Sequence, residues 1–205
     1  MRYTPAVITQ PILEPISLAD IKEHLRITHS DEDDLLTAYA TAARQYVEQR
    51  TGRTLMQTTW EWVADRFPGA SNCGLVLPMA APLLSVTNVK YTDSDAVITT
   101  WPAANYIVNI DAMPGHVIPA YGSTWPSYTP YPSGSVRIRY VAGLSTAASP
   151  LIYPAENLLN AIRLLTGGFY ENRESEVVNK GSIAKIAVDY GVENILSQYK
   201  VSYAF

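Results

Sequence analysis

Residues 31–53 read DEDDLLTAYATAARQYVEQRTGR, and the periodicity of this stretch decides which kind of fold the chain adopts. Leu35, Leu36, Tyr39, Ala42, Ala43, Tyr46 and Val47 recur every three to four positions, the spacing of a helix with one buried stripe. The spacing predicts a helix that begins near Ser30 or Asp31 and stops at Gly52, a residue suited to a C-terminal cap. Asp31, Glu32, Asp33 and Asp34 then fall in the first turn, where carboxylates meet unpaired N–H groups and the positive end of the helix dipole. Arg44, Arg50 and Arg53 lie toward the opposite end, in keeping with the same rule. A metal site or nuclease centre would need further ligands from elsewhere, and neither a DxDxDG loop nor a carboxylate-lysine nuclease pattern follows. The acidic run is therefore read as helix capping.

Upstream, Ser17 and Asp20 form an S-x-x-D capping pattern that opens a short helix through Leu25, with Leu18, Ile21 and Leu25 on one face. An extended arm with several prolines precedes it. Downstream, from about Thr54 to Gly143, the period changes from that of a helix to that of strands. TLMQTTWEWVA, GLVLP, LSVTNVKY, AVITTW, NYIVNI and SVRIRYVA are short, β-branched and aromatic, and separated by Pro, Gly, Asn and Asp. TDSDA, between two of these runs, reads as a hairpin turn, because Asp93 and Asp95 favour local backbone hydrogen bonds there over a metal-binding DxD. Helix returns from Pro154 or Ala155, with Leu158, Ile162, Leu165 and Phe169 on one face. A polar segment follows, and then a last short helix, VENILSQYK. The expected class is α+β: a helical core of about four helices, two N-terminal and two C-terminal, with an inserted antiparallel β domain. Residues 1–53 are the arm and first part of the helical core, 54–149 the β domain, and 150–205 the second part of the core with a C-terminal tail.

Composition narrows the function. With 205 residues, 47% of them hydrophobic, the chain can bury a sizeable core. Its net charge is −4, from 15 basic and 19 acidic residues, so no global positive field draws it to nucleic acid or to an anionic membrane. A single cysteine, Cys73, has no partner for an internal disulfide, which fits a reducing cytoplasm. MRYTPAVITQPILEP has prolines where a signal peptide needs an apolar run, and no later stretch reaches the roughly 18 apolar residues of a membrane span. Charged residues make up only 17%, against 14 tyrosines and 14 prolines, a balance that suits a surface spent on contacts.

No catalytic constellation emerges. His24, His29 and His116 lack metal-ligand spacing, no GxSxG elbow anchors a hydrolase, and no phosphate-loop pattern occurs, so neither an enzyme nor a cofactor is expected. Contact candidates are clearer. In residues 119–134, too proline-rich for a sheet interior, Tyr121, Trp125, Tyr128 and Tyr131 alternate with Pro126, Pro130 and Pro132. Proline fixes the backbone and aromatic rings bury large areas with few rotors, so this loop reads as an exposed protein interface. In SVRIRYV, strand alternation places Val136, Ile138 and Tyr140 on one face and Arg137 and Arg139 on the other, where the arginines suit an intersubunit ion pair or a phosphate. Gly167 and Gly168 sit inside a helix, where each costs up to about 1 kcal/mol, so either a neighbouring backbone comes close or the helix end kinks. Glu171, Arg173 and Glu174 beyond them form a polar rim.

The ordered series EPISLADIKEHLRIT, DEDDLLTAYATAARQYVEQRTGR, PLLSVTNVKY, VRIRYVAGL, LLTGGFYENRE and GVENILSQYK resembles the head-to-tail connector, or adaptor, proteins of tailed double-stranded DNA bacteriophages and prophages. YVEQRTGR, FYENRE and GVE..L..Y carry most of the resemblance. It implies a structural virion protein that forms a ring with copies of itself, commonly a dodecamer, at the virion neck after assembly in the host bacterial cytoplasm. Such a ring sits beneath the portal protein, extends the channel through which genomic DNA passes without specific binding, and offers a platform to a stopper or tail-completion protein. SEVVNKGSIAKIAVDY is longer than the family pattern and VSYAF continues past the last helix. Gln198, Tyr199, Lys200, Val201, Ser202, Tyr203, Ala204 and Phe205 are the candidate portal-binding residues, a hypothesis in which the linker 175–188 and the tail 200–205 order on docking. The alternative is a tail-associated carbohydrate-binding module that stacks the rings of loop 119–134 on sugars.

Overall fold

Between Gly52 and Leu144 the β-branched and aromatic runs pair into antiparallel sheets, because each run has one apolar face that only a partner surface can cover. A computed structural model describes residues 5–69, 74–144, 156–172, 176–179, 182–185 and 190–202. It contains β1 (Ala6–Thr9), β2 (Thr58–Ala64), β3 (Leu75–Val76), β4 (Leu83–Thr92), β5 (Ile98–Trp101), β6 (Tyr106–Asn109), β7 (His116–Pro119) and β8 (Val136–Ala142). Five of them form a sheet in the order β1-β2-β8-β4-β5, and the other three form a sheet in the order β3-β7-β6. The alternation expected of SVRIRYVA holds: Val136, Ile138 and Tyr140 are wholly buried, while Arg137 and Arg139 face outward. Register sets Trp62 and Val89 on either side of Ile138, and Trp101 beside Val89, so one inward row crosses four strands. Leu75, Leu77 and Val117 from the smaller sheet and its approach join the same apolar cluster.

Turn chemistry closes the strands. Asp93 Oδ1 accepts from the backbone N–H groups of Asp95 and Val97, each at 3.0 Å, and joins β4 to β5 as the sequence predicts. Gly143, at the end of β8, has φ +139, and a Cβ there would lie 2.5 Å from the Met56 carbonyl oxygen. A Cβ at Gly115 would lie 2.4 Å from that of Leu83. Only glycine lets the backbone at 143 come so close to that of Met56, and a side chain at 115 would collide with that of Leu83.

The helical elements are α1 (Leu18–Leu25), α2 (Asp33–Thr51), α3 (Glu156–Glu171) and α4 (Tyr190–Tyr199); between the last two lies a hairpin of β9 (Glu176–Asn179) and β10 (Ser182–Lys185). The expected capping box at α1 is present: Ser17 Oγ accepts from Asp20 N–H and the Asp20 carboxylate accepts from Ser17 N–H. α2 ends at Thr51 and is followed by Gly52 at φ 70. α2 and α3 meet through the Tyr39 and Phe169 rings, 6.2 Å apart, and through Tyr170, whose hydroxyl donates to Glu32 at 2.6 Å. α3 runs unbroken through both glycines; a Cβ at Gly167 would make ordinary contact with Leu25 at 3.4 Å, and Gly168 faces open space.

Among the described residues, four helices and antiparallel sheets give the expected α+β class. The chain divides into a β unit, Met1–Ile12, Gly52–Pro150 and Val201–Phe205, and a helical unit, Leu13–Thr51 and Leu151–Lys200. The N-terminal arm, grouped with the helices on sequence, instead contributes β1 to the larger sheet, where Ala6 faces Glu61 and Val7 faces Trp60. Its short extended run has too little pattern to announce a strand, and pairing with β2 supplies the missing order. β7 escaped the sequence for the same reason. Part of the polar linker 175–188 is a hairpin in which β9 and β10 pair, and no described helix is long and apolar enough to cross a membrane.

Candidate interaction surface

The aromatic loop is the first correction. Tyr121 is fully exposed and Tyr131 is 43% exposed, but Trp125 is only 8% exposed and belongs to the core. Its ring stacks on Phe67, with centroids 5.1 Å apart and planes 18° apart, and approaches Trp101 at 5.1 Å. Tyr128 packs on the same cluster, 4.7 Å from the Tyr91 ring, with its hydroxyl 2.7 Å from Ser135 Oγ. Burial pushes the Tyr128 phenol above its ordinary pKa, partly countered by the Ser135 hydrogen bond. Backbone bonds seat the loop: Tyr131 N–H donates to Thr92 O at 3.1 Å, and Gly134 N–H donates to Asp65 Oδ1 at 3.0 Å. The rings gain more by closing the apolar side of their own sheet than by waiting for a partner, since each large aromatic buries roughly 150–250 Å². The available contact edge shrinks to Tyr121 and Tyr131.

The arginine pair is the second correction. Arg137 and Arg139 do face outward from β8, but their carboxylate partner lies in the same chain. Glu61, on the neighbouring β2, accepts from Arg139 Nη2 at 2.8 Å and Nε at 3.2 Å, and its other oxygen lies 3.5 Å from Arg137 Nη1. Register explains the arrangement, because Glu61 sits directly opposite Arg139. One carboxylate faces two guanidiniums, and Lys90 occupies the place beside Arg137 on β4, so this patch keeps a local excess of positive charge.

The acidic run reaches the first turn only in part, because α2 begins at Asp33 and Asp31 and Glu32 precede it. Asp33 and Asp34 open α2, and Asp33 Oδ1 accepts from Lys22 Nζ at 2.7 Å. Asp31 lies 3.9 Å from His29, and Glu32 holds Tyr170. The arginines at the other end are more than dipole partners. Arg44 is 3% exposed and bridges Glu14, 2.7 Å from its Nε, and Glu48, 2.6 Å from its Nη1. Burial works against its charge, yet the Glu48 and Glu14 carboxylates more than offset this and raise its pKa. Arg50 and Tyr46 both bind Glu193 of α4, at 2.5 and 2.8 Å. Hydrogen bonds from Arg50 and Tyr46 lower the Glu193 pKa below the usual carboxylate value. The i,i+4 spacing of Arg44 and Glu48 was a visible signal of one of these bonds, but nothing local announced Glu14 or Glu193.

Of the C-terminal candidates, Gln198, Lys200 and Ser202 are exposed and Tyr199 is half-buried. Val201 is 7% exposed, so its side chain is already occupied within the chain and offers no free surface. Tyr203, Ala204 and Phe205 lie outside the described residues, as does Arg173; Glu171 is exposed at the end of α3. No three metal-binding side chains converge among the described residues.

Residues 15–77 match the family of phage gp6-like head-tail connector proteins, a span that contains α1, α2, β2 and β3. The head-tail connector resemblance read from the sequence is thus met independently over that span. No curated protein matches the chain by sequence. Among solved structures, a chain from the neck of an empty gene transfer agent particle computed with C6 symmetry is 24% identical, with 99% of this chain and 98% of that chain covered and a TM-score of 0.72. Another, from the virion of a native gene transfer agent particle, is 23% identical over the same shares, with a TM-score of 0.73. A third, from the neck of a native particle computed with C12 symmetry, gives 23%, the same coverage and 0.72. At these identities the likeness establishes the fold, and it extends over both units.

Proposed function

We propose that this chain is a wall segment of a head-to-tail connector ring in a tailed phage or phage-like particle. Copies of it would dock under the portal, lengthen the DNA channel and present a platform to a stopper or tail-completion protein. One observation carries the reading: the connector-family match over residues 15–77 and the neck-protein fold over 99% of the chain are independent and agree. Charge is consistent with it. A net charge of −4 suits a channel that must let DNA slide, since a basic lining would bind phosphates and release counterions. Ring-building also suits a chain with large apolar exposures and few charges.

Copy number follows the same reading, with twelve expected around the portal. In this account the protein has no catalytic role and needs no cofactor, and its place is the head–tail junction of particles assembled inside the host cell. Exposed Gln198, Lys200 and Ser202, with residues 203–205 beyond them, are the proposed portal contact. The direct test is imaging of particles from cells that produce this chain, with an antibody or peptide tag on it: the label should ring the junction between head and tail. Label on tail fibres or on no particle would overturn the proposal. Deletion of residues 202–205 spares the buried Val201 and should leave a folded subunit that no longer joins portal-bearing heads; normal attachment would remove the tail from the portal contact.

The carbohydrate alternative loses its main residue. Trp125 cannot stack on a sugar while Phe67 covers its face and its exposure is 8%.

A further inference from the structure

The larger sheet has two ends, and among the described residues neither is covered. Among the described residues β1 pairs only with β2 and β5 only with β4, so the outer backbone groups of both have no partner strand there. Monomeric proteins blunt such edges with lysine, proline or inward-pointing charge, because an open apolar edge invites another strand. Here the β1 sequence is AVIT and the β5 sequence is ITTW, neither with a charge or a proline; both strands are short, and β1 has a register break between Val7 and Thr9, so each edge offers only a few backbone groups. Apolar side chains are exposed on part of each edge: Val7 is 37% and Ile8 45% exposed on β1, and Ile98 66% on β5, while Trp101 at the other end of β5 is buried.

Resting on the ring reading above, we infer that the β1 edge of one copy joins the β5 edge of the next. A ring needs a heterologous contact, in which two different surfaces of one chain complement each other and repeat in one direction. The opposite edges of one sheet meet that requirement. Each has the unpaired backbone groups the other lacks partners for, each has exposed aliphatic side chains, and main-chain pairing supplies the contact without any special side chain. A second copy is therefore the occupant, since one unpaired edge is supplied for every edge left open. The outer edge of β6 in the smaller sheet is also open among the described residues, and Ile107 on it is 49% exposed, but its counterpart at the far side is the two-residue β3, too short to answer it.

The test is cross-linking in particle-producing cells, using the full chain with Cys73→Ser and a short, membrane-permeant bis-maleimide. Ile8→Cys combined with Ile98→Cys should give a ladder of covalent dimers, trimers and longer chains on a denaturing gel, while either cysteine alone should leave monomers. Dimers from a single-cysteine variant would show like edges meeting and overturn the inference. So would a ring seen by imaging whose double-cysteine subunits stay monomeric, an outcome that leaves the ring reading standing. Absence of any ring would sink both. As a second arm, Ile8→Lys or Ile98→Lys should lower ring yield at least ten-fold without loss of soluble folded chain by circular dichroism. Ile107→Lys should not. Loss of rings with Ile107→Lys alone would transfer the contact to the smaller sheet.

Discussion

Trp125 shows how a single residue can be read correctly for its chemistry and wrongly for its address. Its neighbours Pro126 and Tyr128 promised an exposed contact, but the ring is enclosed with Phe67 and Trp101. Its indole N–H has no hydrogen-bond partner among the described residues, so the residue is held by its apolar area. Trp125→Ala should therefore cost about 3–5 kcal/mol, the range for emptying a large aromatic site, measured by urea unfolding. Trp125→Phe should cost much less, because it removes the unpaired donor along with part of the ring. Equal losses in both variants would point to a hidden partner for the N–H. At Arg44 the balance is electrostatic. Arg44→Met leaves Glu48 and Glu14 facing each other without their cation, and breaking a buried pair on one side typically costs about 3–5 kcal/mol. A variant as stable as the parent would mean that water reaches these carboxylates. The charge of Arg44 was legible in the sequence, but its burial was not, since the helix periodicity put it on no clear face.

At the scale of elements, the helices were legible because their signals are local. The capping box of Ser17 and Asp20, the Gly52 stop and the apolar stripe of α2 all act within a few residues. Ser17→Ala should accordingly cost about 1 kcal/mol in thermal or urea unfolding, with no effect beyond the stability of the helical unit. Most strands between Thr54 and Gly143 were legible as runs but not as partners, and β1, β7, β9 and β10 not even as runs. The order of β1 and β7 depends on register with residues as distant as Glu61 and Leu75. The α2 and α4 junction yields a pH prediction. The Glu193 carboxylate is held below its ordinary pKa in the folded chain, first by the Arg50 hydrogen bond and then by that of Tyr46. The folded state therefore binds fewer protons than the unfolded one just below the ordinary carboxylate range. The stabilisation is fully present above that range and is lost as pH falls through the lowered value. Chemical unfolding from pH 6 down to 3 should become less pH-dependent in Glu193→Gln, and an unchanged slope would assign the acid sensitivity to other carboxylates.

For the whole molecule, charge and assembly matter more than any one contact. With a net charge of −4, the chain should not retard duplex DNA in a gel-shift assay at about 0.15 M salt, even though Arg137, Arg139 and Lys90 form a local basic patch around Glu61. Firm retention lost in Arg137→Glu would mean that this patch grips the nucleic acid, against a sliding channel wall. The sequence by itself determined the α+β class, the four helices, most strands, the absence of a familiar catalytic motif and the connector resemblance. These depend on period, capping and composition, which act over short stretches. Only the tertiary structure decided that Trp125 is core, that Arg137 and Arg139 answer Glu61 within one chain, that the arm is a strand, and that two sheet edges have no partner strand among the described residues. Each of those depends on which distant residue arrives opposite, and the free energy of that meeting is written in no single stretch.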